Sequence, residues 1–423
     1  MITSLIVLLI ALVLGVPVGF AIGFSALAYF LVTDANLLVL AQQFIGQISS
    51  LSLIAVPFFV LTGELMNRGG ITRRIFDFAL AAVGRVPGSL GHANVVGSMI
   101  FAGMSGSAVA DLASLGKIEL KAMRDNDYPD DLSVGVTVVS STLGPIIPPS
   151  INMVIFGSIA NVPIGLLFLG GVIPGIVSGV MMMITFAVLF WRRKVKTSRP
   201  RALGFWSALR EAWWSLMTPV ILLGAMFSGI ATPTEASILA ALYTIILAGF
   251  IYRELTWREF FEALVTTALL SGSVLIIIAF AAPLGYVISR EQIAMDLSAS
   301  LVGSLHDVTV LMLAVALLLL VVGTFMEVVA ALILLSPVLG PAMIAAGIDP
   351  VLVGVMMVFT LGIGLVTPPV GLCLYVGSQV SGLRLERVVM AAAPYIPGLI
   401  VVVVLMIYLP QMVTWLPYYL YPK

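Results

Sequence analysis

Charged residues are scarce in this chain. Only 9% of its 423 residues are Asp, Glu, Lys or Arg, whereas an ordinary globular domain has about a quarter. Hydrophobic residues make up 61%, and no soluble segment of useful length interrupts them. The formal net charge is zero, so no basic surface points to nucleic acid. The composition is typical of an integral membrane protein that meets lipid along most of its length.

Residue types that carry out catalysis are also rare. The single cysteine, Cys373, excludes an internal disulfide. The two histidines, His92 and His306, stand alone and form no metal-ligand pattern. A Gly-x-x-x-x-Gly-Lys-Ser/Thr motif is missing, so the chain does not itself hydrolyse ATP. His-Glu-x-x-His and Gly-x-Ser-x-Gly motifs are missing too, which argues against an intramembrane enzyme.

One proline-rich stretch interrupts an apolar run that extends from Leu132 to Ala160. It reads Gly144-Pro145-Ile146-Ile147-Pro148-Pro149-Ser150. Three prolines remove three backbone donors and clash with the preceding turn, so no continuous helix can pass. We therefore expect two half-helices joined by a loop at membrane depth. Such a loop is tolerated only where it lines a protein-buried or watery cavity, and it offers carbonyls to a cation and N–H groups to an anion.

A second copy of this stretch, Gly364-Leu365-Val366-Thr367-Pro368-Pro369, follows 220 positions later. At the same offset Gly157 pairs with Gly377, and Pro174 pairs with Pro394. Two interrupted membrane segments in corresponding places of two halves are typical of a transporter binding site. The alternative is a pair of proline kinks in ordinary spans.

Two further apolar segments are interrupted near their middles. Residues 88–116 contain small residues from Gly103 to Ser107, and residues 308–339 contain Gly323 to Glu327. Small residues break a helix and allow close backbone approach, so each segment is predicted to be a re-entrant helical hairpin. A single glycine-rich span is the alternative for the first. A charged loop is expected from Lys117 to Asp131, and Ile2–Val32 is expected to be one long span bent near Gly15.

The basic residues predict the orientation in the membrane. A loop from Arg192 to Arg210 holds seven of them, and positive loops remain cytoplasmic. The first broken span then runs outward and the second runs inward, because four crossings and one hairpin separate them. The chain is therefore expected to contain two inverted repeats, which is the architecture of an alternating-access transporter.

Five motifs in order resemble the large membrane subunit of tripartite ATP-independent periplasmic (TRAP) transporters. The resemblance covers essentially the whole chain. The motifs are Pro57-Phe58-Phe59, Gly63-Glu64-Leu65-Met66, Gly144 to Ser150, Ala231-Thr-Pro-Thr-Glu-Ala236 and Thr367-Pro-Pro-Val-Gly371. The resemblance implies a sodium-coupled, elevator-type importer of organic acids in the bacterial inner membrane. It also implies two partners, a small four-helix membrane subunit and a periplasmic substrate-binding protein.

The expected domain organisation follows from these segments. Residues 1–87 would form scaffold spans and an interfacial helix. Residues 88–191 would form the first repeat core, with the hairpin at 88–116 and the broken helix at 132–160. Residues 192–307 would hold the basic loop and further scaffold spans. Residues 308–423 would form the second core, with the hairpin at 308–339, the broken helix at 350–378 and a last span.

The predicted substrate site consists of hydroxyls and helix N-termini, because the span interiors have no basic side chain. Ser105, Ser107 and Ser150 are the expected donors, although each could instead only cap a helix end. Glu327 faces the same site and is expected there because ionisable residues in apolar segments are usually functional. The family commonly has an aspartate in this motif, so the exact contact of Glu327 stays open.

Two sodium sites are expected where each hairpin tip meets its broken span. Sodium takes several oxygen ligands, and backbone carbonyls of the loops would supply most of them. The first set comprises Gly103, Ser105, Gly144 and Ile147, and the second comprises Gly323, Gly364, Thr367 and Val370. Family structures place cations in these regions, so the regions are implied more firmly than the individual ligands.

Several alternatives remain at this point. A stand-alone sodium/dicarboxylate symporter would need no binding protein, and a purely structural subunit would need no paired broken helices. The sequence does not name the substrate, so sialic acid, C4-dicarboxylates and other sugar or keto acids all remain possible.

Overall fold

A computed structural model describes residues 2–84, 86–195, 197–198, 204–293, 295 and 307–422, without the side chains of Ile2, Met104 and Ser105. Part of the basic loop and most of the loop between Arg290 and Asp307 therefore lie outside the described residues. The described chain is helical and contains no strand. Seven of its helical segments are long and apolar enough to cross a membrane.

Ten α-helices are described in the first half of the chain. They are α1 (Ile2–Val13), α2 (Val18–Val32), α3 (Leu37–Ile48), α4 (Ala55–Arg68), α5 (Ile71–Val83), α6 (Ser89–Ser105), α7 (Ala108–Arg124), α8 (Asp130–Ser140), α9 (Ile151–Ala160) and α10 (Ile164–Arg192).

Ten more helices are described in the second half. They are α11 (Phe205–Phe227), α12 (Pro233–Ile246), α13 (Trp257–Arg290), α14 (Val308–Phe325), α15 (Val328–Ala345), α16 (Pro350–Gly364), α17 (Leu372–Ser381), α18 (Leu385–Ala392), α19 (Ile396–Tyr408) and α20 (Gln411–Leu420).

The N-terminal segment forms an antiparallel hairpin, so the expected single span Ile2–Val32 is wrong. The chain reverses at Gly15, whose φ of +76° is readily available only to glycine. The Ser4 and Ser25 hydroxyls each bond the other residue's carbonyl oxygen at 2.8 Å, which fixes α1 against α2. Composition alone could not distinguish a long span from two short helices of equal polarity.

The first hairpin consists of α6 and α7. Its tip is Gly106, at φ +62°, followed by Ser107, whose hydroxyl accepts a bond from the Ala110 N–H at 3.4 Å and so caps α7. The second arm extends into the predicted charged loop as far as Arg124, so that prediction is wrong for residues 117–124, and residues 125–129 connect α7 to α8. The helix continues because Leu115, Leu120 and Met123 form one buried face.

The second hairpin, α14 and α15, repeats this construction. Glu327 caps α15 by accepting bonds from the N–H groups of Val329 at 2.7 Å and Ala330 at 3.3 Å. The two capping residues, Ser107 and Glu327, stand 220 positions apart, as the two broken spans do.

Each broken span consists of two helices joined by a proline loop. The first is α8 and α9, and the second is α16 and α17. The bonds Pro148–Pro149 and Pro368–Pro369 are both cis. The hairpin of each repeat packs on the broken helix of the other repeat: α7 packs on α17, and α15 packs on α9. The predicted fold of two inverted repeats, each with a hairpin and a broken helix, is confirmed.

The remaining helices surround this core. Helix α13 packs on α2, α3 and α4, and its residues also contact α15. Helices α10 to α13 lie between the repeats along the chain.

Candidate functional site

A cavity of about 600 Å³ lies between the two repeats and the surrounding helices. One wall comes from α2, α4 and α13. The other comes from the starts of α7 and α15 and from both proline loops. Its polar lining residues are Glu64, Asn67, Ser107, Asn152, Ser273 and Glu327.

The residues that cap the second helix of each hairpin line the same cavity. They are Ser107 in the first repeat and Glu327 in the second. The symmetry that relates the repeats therefore places one hydroxyl and one carboxylate at equivalent helix starts around the same space. The sequence predicted both residues for one site.

Five helices begin at this cavity. The first residues of α2, α7, α9, α15 and α17 belong to its lining, and these are Val18, Ala108, Ile151, Val328 and Leu372. Free N–H groups and the helix dipole make such ends attractive to anions. Only α15 carries a negative cap, Glu327. Among the described lining residues none is Lys, Arg or His.

The first predicted cation region is tightly packed backbone. A Cβ on Gly103 would lie 3.2 Å from the Pro148 carbonyl oxygen. A Cβ on Gly144 would lie 2.7 Å from Asp111 Oδ2 and 3.1 Å from the Ser107 carbonyl carbon. Ile147 packs on Gly175 of α10. The buried carboxylate of Asp111, in the first turn of α7, therefore faces this loop as well.

The second predicted cation region is also tightly packed backbone. A Cβ on Gly364 would lie 2.3 Å from the Gly323 carbonyl carbon. The Gly371 N–H donates to the Thr324 carbonyl at 2.9 Å, which fastens the loop to the hairpin tip. The Thr367 hydroxyl donates to the Ile363 carbonyl at 2.8 Å, so its lone pairs stay available. Val370 lies half-buried in the loop.

The remaining predicted serines behave differently. Ser150 is fully buried, donates to the Pro145 carbonyl and accepts from the Met153 N–H at 3.3 Å. It caps α9 and is not among the cavity-lining residues. The side chain of Ser105 lies outside the described residues.

Sequence reasoning did not place Asn67, Asn152 and Ser273 at the site. Asn152 directly follows the first proline loop. A polar residue inside an apolar run is the sequence feature that could have indicated its place at the site. Glu64 also lines the cavity and pairs with Arg68 at 3.4 Å. Arg68 in turn bonds Glu262 of α13 at 2.8 Å, so this acidic side chain is held by the surrounding helices.

Comparison with known proteins now decides the family. Residues 5–412 match the family described as "Tripartite ATP-independent periplasmic transporter, DctM component". The chain belongs to this family. It is thus the large membrane subunit of a TRAP transporter, a multi-pass inner-membrane protein of secondary transport and not an enzyme.

Two curated relatives agree with this family. The sialic acid TRAP transporter large permease protein SiaM of Vibrio cholerae is 42% identical over 399 residues, covering 93% of both chains. The C4-dicarboxylate TRAP transporter large permease protein DctM of Pseudomonas aeruginosa is 36% identical, covering 94% of this chain and 93% of that protein.

A solved structure shares the fold at low sequence identity. The YdaH transporter of Alcanivorax borkumensis, described as having an unusual topology, superposes with a TM-score of 0.65 over 91% of this chain and 90% of that one. The identity is 14%, so this likeness concerns the fold alone.

Proposed function

We propose that this TRAP subunit imports an organic acid anion together with sodium ions. One observation carries the proposal: Ser107 and Glu327, the caps of the two hairpins, line one cavity whose described lining has no basic residue. An anion in that cavity needs donors, and its charge needs a mobile counter-ion.

The helix N-termini supply the donors. Helices α9 and α17 begin at the cavity with no acidic residue in their first turn, so their dipoles favour a carboxylate. Helix α7 also begins there, with a serine cap and with Asp111 in its first turn. The Ser107 hydroxyl and the Asn152 amide add side-chain donors. Ser150 contributes indirectly, because it fixes the start of α9.

Cations supply the missing positive charge. The lining already holds two acidic side chains, Glu64 and Glu327, and a substrate carboxylate would add a third negative group. Coulomb repulsion at low dielectric opposes that arrangement unless cations enter with the substrate. Glu327 would then contact the substrate through a sodium ion. The backbone around Gly103 and Gly144, and around Gly323, Gly364, Thr367 and Val370, offers the oxygen ligands.

An elevator movement would expose the site alternately to both sides. The two repeats exchange helices and so form one unit, whereas α4 and α13 form the opposite wall of the cavity. Sliding of the unit along this wall would carry substrate and ions together. The wall is apolar at Val56, Val60 and Ile277, and it carries polar side chains at Glu64, Asn67 and Ser273.

The partners follow from the family. A small four-helix membrane subunit would hold the surrounding helices, and a periplasmic binding protein would deliver the substrate. The relatives SiaM and DctM are named for sialic acid and for C4-dicarboxylates, so both are first candidates for the substrate.

Reconstitution in liposomes tests the proposal. We expect uptake only when the small subunit and a substrate-loaded binding protein are present and sodium is more concentrated on the binding-protein side. Replacing sodium with potassium at equal ionic strength should abolish uptake. Robust uptake by the chain alone would instead favour a stand-alone sodium/dicarboxylate symporter.

A further inference from the structure

A second cavity, of about 380 Å³, lies where α3 and α13 face α9 and α15. It is separate from the substrate cavity, which Ser107 and Glu327 line, because the described linings of the two have no residue in common. We call it the outer cavity, since the Lys/Arg asymmetry predicts that the C-terminal end of α13 faces the periplasm. Its described lining holds no charged residue, and its polar lining residues are Gln43, Gln47, Asn161, Tyr286 and Ser289.

The two cavities lie along one face of α13. Residues three or four positions apart share a helix face, and α13 contributes such a series to the two linings. The series consists of Leu270, Val274 and Ile277 at the substrate cavity, followed by Ala281, Gly285 and Ser289 at the outer cavity. A group that moves along this face therefore passes from one cavity to the other.

Helices α9 and α15 each reach from one cavity to the other. Helix α9 begins with Ile151 at the substrate cavity and ends with Ala160 at the outer cavity. Helix α15 begins with Val328 at the substrate cavity and reaches the outer cavity at Pro337. The two cavities are therefore the two ends of one interface, which separates α13 from the unit formed by the repeats.

The register of α15 against α13 gives the distance between the two positions. At the outer cavity, a Cβ on Gly285 would lie 3.8 Å from the Cβ of Pro337. Eight positions earlier on each helix, Ile277 and Val329 both line the substrate cavity, so the two helices run in the same direction. Eight residues correspond to about 12 Å of helix. A shift of the repeats by this distance toward the outer cavity brings Val329, and the substrate site beside it, opposite Gly285.

Two amides of α3 line the outer cavity from the side of the surrounding helices. Gln43 and Gln47 are four positions apart and so lie on the same face of α3. Neither amide forms a hydrogen bond with another group in the part of the chain that the structure describes. Helix α3 packs on α13, so both amides remain with the wall when the repeats shift. They are therefore placed to meet a substrate that the repeats carry to this end.

From this geometry we propose that the outer cavity is the outer half of the substrate site. In the outward position, Gln43, Gln47 and Ser289 contact the substrate while Ser107 and the start of α9 hold its carboxylate. The inference rests on the elevator movement of the proposed function. Amide and hydroxyl groups bond other hydroxyl and amide groups and carry no charge for a second carboxylate. The substrate class that fits is a polyhydroxylated monocarboxylate, such as a sugar acid, rather than a C4-dicarboxylate.

Pairs of cysteines in a Cys373→Ser background test the shift. Gly285→Cys with Pro337→Cys reports on the present register, and Gly285→Cys with Val329→Cys reports on the shifted one. We expect both pairs to form disulfides in oxidised membranes. Val287→Cys with Val329→Cys is the control, because Val287 lies at the same height on α13 but packs against Tyr29 and Phe30. A failure of the Gly285–Val329 pair, or equal cross-linking of the control pair, would overturn the proposal.

Uptake kinetics test the contacts with the substrate. In liposomes with the small subunit and a binding protein loaded with sialic acid, Gln43→Leu and Gln47→Leu should each raise the half-saturating substrate concentration up to about tenfold. The sodium dependence should not change. Gln42→Leu is the matched control, because Gln42 is exposed on α3 and does not line the outer cavity.

The outcomes separate this inference from the proposed function. Unchanged half-saturation in both lining variants would overturn the contacts with Gln43 and Gln47. Wild-type uptake of succinate without uptake of sialic acid would overturn the substrate class. If the wild type shows no sodium-dependent uptake at all, the proposed function fails, and the cysteine pairs still decide whether the repeats reach the outer cavity.

Discussion

The backbones of Gly323 and Gly364 touch where the second hairpin tip meets the second broken helix. A Cβ on Gly364 would lie 2.3 Å from the carbonyl carbon of Gly323 and 2.5 Å from its Cα. Neither neighbour is a flexible side chain that could move aside. Any side chain at Gly364 must therefore separate the tip from the helix.

We expect Gly364→Ala to lower thermal stability and to abolish sodium-dependent uptake. Overpacking of this kind costs about 1–3 kcal/mol, and separating the loops would displace the carbonyls of the proposed cation site. Gly362→Ala is the matched control, because its Cβ would have Pro145 as nearest neighbour at 4.0 Å. Equal behaviour of the two variants, measured by unfolding temperature and uptake, would contradict the role of this contact.

Thr367→Val tests the proposed ligand in the same region. Valine keeps the shape and removes the hydroxyl that donates to the Ile363 carbonyl. Leaving a cation one ligand short should cost about 1–3 kcal/mol, and each 1.4 kcal/mol corresponds to about tenfold in affinity. We expect roughly tenfold more sodium to be needed for half-maximal uptake, with expression unchanged.

Thr360→Val is the control for Thr367→Val. Thr360 is buried on α16, and its hydroxyl has no partner among the described side chains and backbone groups. Its removal should leave the sodium dependence as in the wild type. A wild-type sodium dependence in Thr367→Val would mean that Thr367 only caps the helix end.

Glu327→Gln separates charge from capping. The amide oxygen can still accept the bonds from Val329 and Ala330, so α15 should keep its start. Removing the charge should weaken sodium binding by about 1.5–3 kcal/mol, the range for bonds to charged groups. The expected result is at least a tenfold rise in the sodium needed for half-maximal uptake.

Ser107→Ala is the complementary change at the other hairpin cap. It removes a donor to the substrate but no charge, so it should raise the substrate concentration for half-maximal uptake and leave the sodium dependence unaltered. Removing the cap should also lower stability by about 1 kcal/mol. If both variants shift sodium and substrate equally, the division of roles between the two caps is wrong.

Labelling of single cysteines tests the orientation. In a Cys373→Ser background, Ser207→Cys reports on the basic loop. Met295→Cys reports on the region that follows the C-terminal end of α13, and the side chain at this position is 63% exposed. The Lys/Arg asymmetry predicts that an impermeant thiol reagent labels only Met295→Cys in intact spheroplasts. Labelling of Ser207→Cys in intact spheroplasts would show that the basic loop is periplasmic and would contradict the predicted orientation.

The sequence by itself determined where helices cannot continue. Pro145, Pro148 and Pro149 lack donors, and Gly106 needs a left-handed conformation, so the breaks follow from local chemistry. The second copy at Pro368 and Pro369 follows from the same chemistry. These local rules fixed the order of hairpins and broken helices, and with them the repeat architecture.

Tertiary structure decided between arrangements that local sequence chemistry does not distinguish. The reversal at Gly15 depends on the bonds between Ser4 and Ser25, which an apolar run does not reveal. Glu119 looked like part of a solvated loop until α7 buried it against α6. Ser107 and Glu327 share a cavity only because the hairpin of each repeat packs on the broken helix of the other. Such long-range packing depends on the complementary shapes of the two surfaces and not on the sequence neighbours of either residue.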